Sequence, residues 1–226
     1  MKRLLLWDID ATLITTGGAG DQALKRAVQE RFGVRDGLHD IEIAGRTDTG
    51  IIASILRKYD VPQTEENIAA FLDQYLSFLG QLLPGLQGHV MPGVNELLRR
   101  LKQNPDRVVA LLTGNMQRGA ELKLQRYGLW EHFEFGAFAD DHRDRNQLGA
   151  IAQQRATEKH GIEFAGAEID VIGDTGHDIA CGRAFGARTI AVATGSWSRE
   201  RLAAEAPDFL FDDLDNVDDV MAQLGW

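Results

Sequence analysis

The sequence predicts an α/β fold: a parallel sheet with helices on both faces, interrupted after its first strand by a block of helices. Three observations predict it. Four short apolar runs, Lys2–Trp7, Arg107–Leu112, Glu168–Ile172 and Arg188–Val192, are continuous rather than alternating, as strands buried on both faces are. Each is followed by polar or glycine-rich residues and then by a helical pattern, the order that builds a parallel sheet. Between the first run and Arg107, several helical stripes intervene where a crossover normally uses one helix.

The elements follow in order. Lys2–Trp7 has a basic start and several leucines, the outline of a secretory signal. Asp8 and Asp10 cut the apolar stretch short and no small-residue cleavage site follows, so it is read as the first strand. Ala23, Leu24, Ala27, Val28 and Phe32 then share one helical face, closed by Gly33. Ile51, Ile52, Ile55 and Leu56 form a second stripe. Ile68, Phe71, Leu72, Tyr75, Leu79 and Leu82 form a third, with Thr64 as N-cap, Glu65 and Glu66 in the first turn, and a stop at Pro84-Gly85. Residues 15–86 are therefore expected to form a helical cap domain inserted into a core made of 1–14 and 87–226. Val94, Leu97, Leu98 and Leu101 mark a helix behind Pro92. Leu122, Leu124 and Tyr127 mark one ending near Gly128, Ile151 and Ala152 one ending near Gly161, and Ile179, Ala180 and Phe185 one stopped by Gly186. Phe209–Phe211 is a candidate edge strand. The core is thus expected to be Rossmann-like.

Composition narrows the function. A formal net charge of −10 with no Lys/Arg cluster argues against a nucleic-acid partner. No apolar run approaches the roughly 18–20 residues that span a bilayer. The single cysteine, Cys181, excludes an intrachain disulfide and fits a reducing cytoplasm. Within Ala180-Cys181-Gly182 it reads as a small packed residue.

Chemistry collects at the carboxyl ends of the predicted strands, where open parallel sheets bind ligands. The first strand delivers Asp8 and Asp10, which point to the same side of an extended segment. The second delivers Thr113-Gly114-Asn115, and the third Gly173-Asp174-Thr175-Gly176-His177-Asp178. Four carboxylates at one place need a cation, and an all-oxygen set favours a hard one, Mg²⁺. One of Asp8 and Asp10 can then be metal ligand and nucleophile while the other moves protons. Thr113 offers a hydroxyl, and Gly114 and Asn115 offer backbone N–H groups at a helix start, a suitable anion cradle.

Asp8-x-Asp10-x-Thr12, Thr113-Gly114-Asn115 and Gly173-Asp174-Thr175-x-x-Asp178 resemble, in order, motifs one, two and four of the haloacid dehalogenase superfamily. The insert is similar to the helical cap of its phosphoglycolate phosphatase and β-phosphoglucomutase branch. The resemblance implies a Mg²⁺-dependent phosphatase acting on a small phosphorylated metabolite. Asp8 would attack phosphorus and become an aspartyl-phosphate, and Asp10 would protonate the leaving alcohol and then activate water. Thr113 would bind phosphoryl oxygens. Asp8, the main-chain carbonyl of Asp10 and Asp174 would hold Mg²⁺, with Asp178 supporting that shell.

Two departures from the pattern matter. Ala11 stands where glycine is usual, so its loop should take a negative φ or carry slight strain. The third-motif cation is usually Lys. Lys123 lies too early and Lys159 too late, which leaves Arg145, opening a helix in Asp144-Arg145-Asn146-Gln147, with Arg143 as its rival. In Ile43-Ala44-Gly45-Arg46-Thr47-Asp48, Arg46 is the candidate for a substrate-facing cation. His177 reads as a loop residue and Trp197 as surface or rim packing.

Other readings are a phosphomutase of the same superfamily and a non-catalytic phosphate-ester binding protein. A dehalogenase is disfavoured because that chemistry does not use the second aspartate. Gly18-Ala19-Gly20-Asp21-Gln22-Ala23 fits a dinucleotide fingerprint with Asp40 downstream, but it does not directly follow a strand, as that fingerprint must.

Overall fold

In the computed structural model, residues 2–226 are described; Met1, the first residue of the basic start, lies outside them. The chain runs β1 (Arg3–Trp7), β2 (Ile14–Thr15), α1 (Ala19–Phe32), α2 (Asp48–Lys58), α3 (Glu65–Leu82), β3 (His89–Val90), α4 (Val94–Lys102), β4 (Arg107–Leu112), α5 (Gln117–Arg126), β5 (Gly136–Ala137), α6 (Arg145–His160), β6 (Ile169–Gly173), α7 (Gly176–Ala184), β7 (Arg188–Val192), α8 (Arg199–Ala204), β8 (Phe209–Phe211) and α9 (Val217–Leu224). The six-stranded sheet has the order β5-β4-β1-β6-β7-β8, with every neighbouring pair parallel. The chain leaves β1 for β4 on one side and β6 on the other. The end of β1 is therefore the switch point at which such sheets bind ligands.

The continuous apolar runs fill two layers because side chains alternate across a strand. Leu5 and Trp7 of β1, with Val109 and Leu111 of β4, pack under α4, α5 and α9. Leu4 and Leu6, with Val108 and Ala110, pack under α6 and α7 on the other face. Helices α1–α3 enclose an apolar cluster of their own, including Ala23, Ile52, Ile55, Phe71 and Leu79, all buried. Leu122 of α5 packs against that cluster, so α5 touches both the cluster and one face of the sheet. Thr64 caps α3 by accepting the Asn67 N–H, and Gly33 closes α1 in the left-handed conformation, as the residue types dictate.

Several details differ from the sequence expectation. Strand β6 starts at Ile169 because Glu168 closes a short 3₁₀ turn. The pair β2–β3 and the edge strand β5 are two residues each, too short to leave a periodic signal. Gly18 caps α1 beyond β2, away from any strand of the large sheet, so the fingerprint there does not sit on a nucleotide-binding turn. Among the described residues, no helix is long and apolar enough to cross a membrane.

At the other end of the sheet, Asp170 is fully buried and accepts from Arg3 (2.8 Å), from Arg188 twice (2.7 Å each) and from the Trp226 indole (2.7 Å). One carboxylate thus ties β1, β6, β7 and the chain's last residue together. Asp170→Ala is expected to cost about 3 kcal/mol, read as a fall in Tm of roughly 6–12 °C, because two guanidiniums lose their partner. A fall under about 2 °C would show that the cluster contributes nothing net.

Candidate active site

Asp8 follows β1, its N–H bonded to the Ile172 carbonyl at 2.9 Å, and is 5% exposed. Asp174 follows β6 and Asp178 lies in the first turn of α7, both buried. Oxygens of Asp8, Asp174 and Asp178 lie within 4.8 Å of one another. Arg145, the first residue of α6, reaches into this group. Its guanidinium contacts Asp8 at 3.0 Å, hydrogen-bonds Asp178, and donates to the Gly45 carbonyl at 3.0 Å. Arg143 lies outside, exposed, with its carbonyl accepting from the Thr47 hydroxyl at 2.6 Å.

Burial, then Asp178 and Asp8, together push Asp174 up to about 8 against the opposing charge of Arg145. Burial also raises Asp8 to about 6; Arg145 pulls it down, while Asp178 and Asp10 push it up. For Arg145, burial works against the charge, but Asp178 and Asp8 outweigh it and hold the guanidinium above its ordinary range. A carboxylate cluster in this state is short of one cation, and its oxygen donors suit a hard one. Asp178 is the most fully occupied of the three. Its Oδ2 accepts from the N–H and hydroxyl of Thr175 (3.0 and 2.7 Å) and its Oδ1 from Arg145. Asp174 Oδ1 accepts from the Thr12 hydroxyl at 3.3 Å, and its Oδ2 rests against Gly195, where a Cβ would come within 1.7 Å.

Asp10 sits two residues beyond Asp8, with its side chain half-exposed to the cleft. Lys123 grips both its oxygens, at 2.8 and 2.6 Å, and Asn115 donates to it at 2.9 Å. Burial raises the Asp10 pKa, yet the charge and hydrogen bond of Lys123, with the Asn115 amide, outweigh it and hold the group below its usual value. Lys123 is the residue that sequence order set aside as too early. It does not replace Arg145. It is a second buried cation, 3% exposed, brought to Asp10 by the inner face of α5 alongside Ala120 and Leu124. That inward register is the signal that could have found it.

The loop between β1 and β2 answers the question raised by Ala11. Its φ is +60°, the left-handed region, at a cost of about 1 kcal/mol for a residue with a Cβ. The Ala11 N–H bonds to the Ile14 carbonyl (2.7 Å), and its own carbonyl accepts from Thr194 (2.6 Å), which pins it there.

One other expectation, that His177 lies in a loop, needs correction, and the remaining residues are placed as follows. Of the two amides expected to cradle an anion at Thr113-Gly114-Asn115, that of Asn115 is engaged within the chain. The Asn115 N–H goes to Thr113 Oγ1 (3.3 Å), and the next two N–H groups go to Asp48 (2.8 Å) and Asp140 (2.6 Å). What remains is the fully buried Thr113, whose hydrogen bond lowers the Asp8 pKa, and the close approach at Gly114, where a Cβ would meet the Arg46 carbonyl at 2.1 Å. The Arg46 side chain turns away to Glu42 at 2.6 Å and is half-exposed. His177 is helical rather than in a loop and pairs with Glu42 at 3.0 Å. Trp197 is 8% exposed, packed over Gly176 with Arg201 stacked 3.3 Å above its ring, which fits the packing half of its expectation. Cys181 is a packed residue, its thiol donating to the Arg145 carbonyl.

The family model described as haloacid dehalogenase-like hydrolase matches residues 5–183. The chain is 28% identical to the protein named probable phosphatase IndB of Dickeya dadantii, over 96% of this chain and 92% of that one. It is 25% identical to a phosphoglycolate phosphatase of Vibrio vulnificus, over 97% and 96%. A crystal structure of a hydrolase from Pseudomonas syringae superposes with a TM-score of 0.77 at 18% identity, covering 99% of both chains.

Proposed function

Because the chain belongs to the haloacid dehalogenase-like hydrolase family, we propose that it is a Mg²⁺-dependent phosphatase. It would hydrolyse a small phosphomonoester through an aspartyl-phosphate on Asp8. The observation that carries this reading is the buried convergence of Asp8, Asp174 and Asp178 around Arg145 at the end of the central strand. Asp8, Asp174 and the Asp10 carbonyl would hold Mg²⁺, with Asp178 behind them, and the ion would supply charge to mask the phosphate. Residues 15–86, with α1–α3 and their own apolar cluster, serve in this reading as the cap that closes over substrate.

In the first half-reaction an Asp8 oxygen forms a bond to phosphorus as the ester P–O bond breaks. The leaving oxygen takes its proton from Asp10. In the second, water attacks phosphorus, its proton goes to Asp10, and Asp8 leaves as the carboxylate with inorganic phosphate. Arg145 orients Asp8 through its 3.0 Å contact, and Thr113 steadies the same group. Lys123 and Asn115 favour the ionised Asp10, the form the second half requires, and oppose the protonated form that the first half requires.

The test is phosphate release from a panel of small phosphomonoesters with Mg²⁺ and with EDTA. Release only with Mg²⁺ is expected. Release undiminished by EDTA would remove the metal, and isomerised sugar phosphate without free phosphate would make the protein a mutase. Ion binding also has a pH signature. Asp8 and Asp174 are raised in the folded state, so the metal-free fold binds more protons than the unfolded chain. It therefore loses stability as pH rises from about 4 through about 8, and the gain in Tm on adding Mg²⁺ is expected to be larger near pH 8 than near pH 5.5.

A further inference from the structure

The cavity over this site carries information about the leaving group. It encloses about 450 Å³ between the strand ends and the helices α1–α3. Asp8 and Asp174 of the acidic cluster line it, as do Asp48 of α2, Tyr75 of α3 and Asp21 of α1, the last paired with Lys25 at 2.7 Å. Five carboxylates and three cations line the whole space, and each cation is already committed. Lys123 is taken by Asp10 and by Asn115 Oδ1 at 2.7 Å. Arg145 is taken by Asp8, Asp178 and the Gly45 carbonyl. Arg46 is taken by Glu42.

Asp48 is 7% exposed and held by one oxygen, Oδ2, which accepts the Met116 N–H at 2.8 Å, while its own N–H donates to the Gly114 carbonyl at 2.7 Å. Its carboxyl is therefore fixed at the cavity wall. The Tyr75 hydroxyl and the Lys123 ammonium both flank Gly20 on that wall, 3.7 and 3.8 Å from where its Cβ would be. A hydroxyl entering here can donate to Asp48 and accept from Tyr75. A carboxylate entering here finds no unpaired cation and faces a fixed carboxyl group, and a buried charge without a partner is costly.

Resting on the phosphatase reading above, we propose that the alcohol released is neutral and hydroxyl-bearing, and that Asp48 is a specificity-determining residue that disfavours esters carrying a carboxylate. This sets the chain apart from those relatives that are named for phosphoglycolate.

Two esters of matched size test it: 2-hydroxyethyl phosphate and phosphoglycolate, which differ only in a CH₂OH against a COO⁻. Their binding is measured by calorimetry on Asp8→Asn protein with Mg²⁺, so that no turnover intervenes. The hydroxylated ester is expected to bind at least about fivefold more tightly. Asp48→Asn in the same background keeps an oxygen for the Met116 N–H and removes the charge. It is expected to narrow the ratio by about threefold or more, chiefly by tightening phosphoglycolate. Equal binding, tighter phosphoglycolate, a ratio unmoved by Asp48→Asn, or binding of neither ester overturns the proposal. Wild-type protein that releases phosphate from no ester, with the binding ratio intact, overturns the phosphatase reading and leaves the selectivity standing.

Discussion

Asp8→Asn is expected to lower kcat for phosphate release by at least about 10³-fold, with Tm held within about 4 °C of the parent. The loss follows from the role assigned to Asp8. An amide oxygen is a poor nucleophile toward phosphorus, so no aspartyl-phosphate forms and the two-step route closes. The fold survives for an electrostatic reason. Burial, Asp178 and Asp10 all raise the Asp8 pKa, so its negative charge is a net burden on the metal-free protein. The amide keeps an oxygen for Arg145, which retains Asp178 as well. Two measurements decide it: steady-state phosphate release, and a melting curve on the same preparation. Near-parental turnover removes Asp8 as nucleophile. Lost turnover with a fall in Tm above about 10 °C would make the residue a structural support instead.

Which parts of this site were legible in the sequence depends on how local their physics is. Strands buried on both faces leave continuous apolar runs, so Arg3–Trp7 and Arg107–Leu112 stood out, and with them the residues that follow each strand end. Asp8 and Asp10 were visible because an apolar run ending in two carboxylates is a local contradiction. Lys123 was not, because its partner Asp10 lies 113 positions away, and only the packing of α5 brings the two together. The occupied N–H groups after Asn115 were equally hidden. Their acceptors, Asp48 and Asp140, come from other elements. The tension between side chain and loop at Ala11 is legible in the residue type, but its φ is held positive by the contacts to Ile14 and Thr194. Asp48 carried no signal at all beyond a helix start, since its burial arises where α2 meets the loop after β4.

Arg145→Ala is expected to produce the largest loss of stability of any single substitution in the site. Arg145 is 7% exposed and bridges Asp8 and Asp178 while holding the Gly45 carbonyl. Removing it leaves two buried carboxylates, with Asp174 beside them, facing one another without a protein cation. Breaking a buried pair in this way costs about 3–5 kcal/mol, or roughly 6–20 °C in Tm. The sign of the pH dependence follows from the same cluster. Arg145 is the charged group that lowers the Asp8 and Asp174 pKa values, so without it both rise further. The metal-free variant then loses more stability than the parent as pH rises from about 4 through about 8. Melting curves near pH 5.5 and near pH 8 should therefore diverge more for Arg145→Ala than for the parent protein. Added Mg²⁺ should recover part of the loss near pH 8. Arg145→Lys restores a charge but not the fork that reaches Asp8, Asp178 and Gly45 at once, so it should recover only part of the stability. Arg143→Ala is the contrast. That side chain is exposed and its link to Thr47 is through the main chain, so its Tm should move by less than about 2 °C. If the Arg143 variant proved the less stable of the two, the cation that balances the aspartates would have to be reassigned to it.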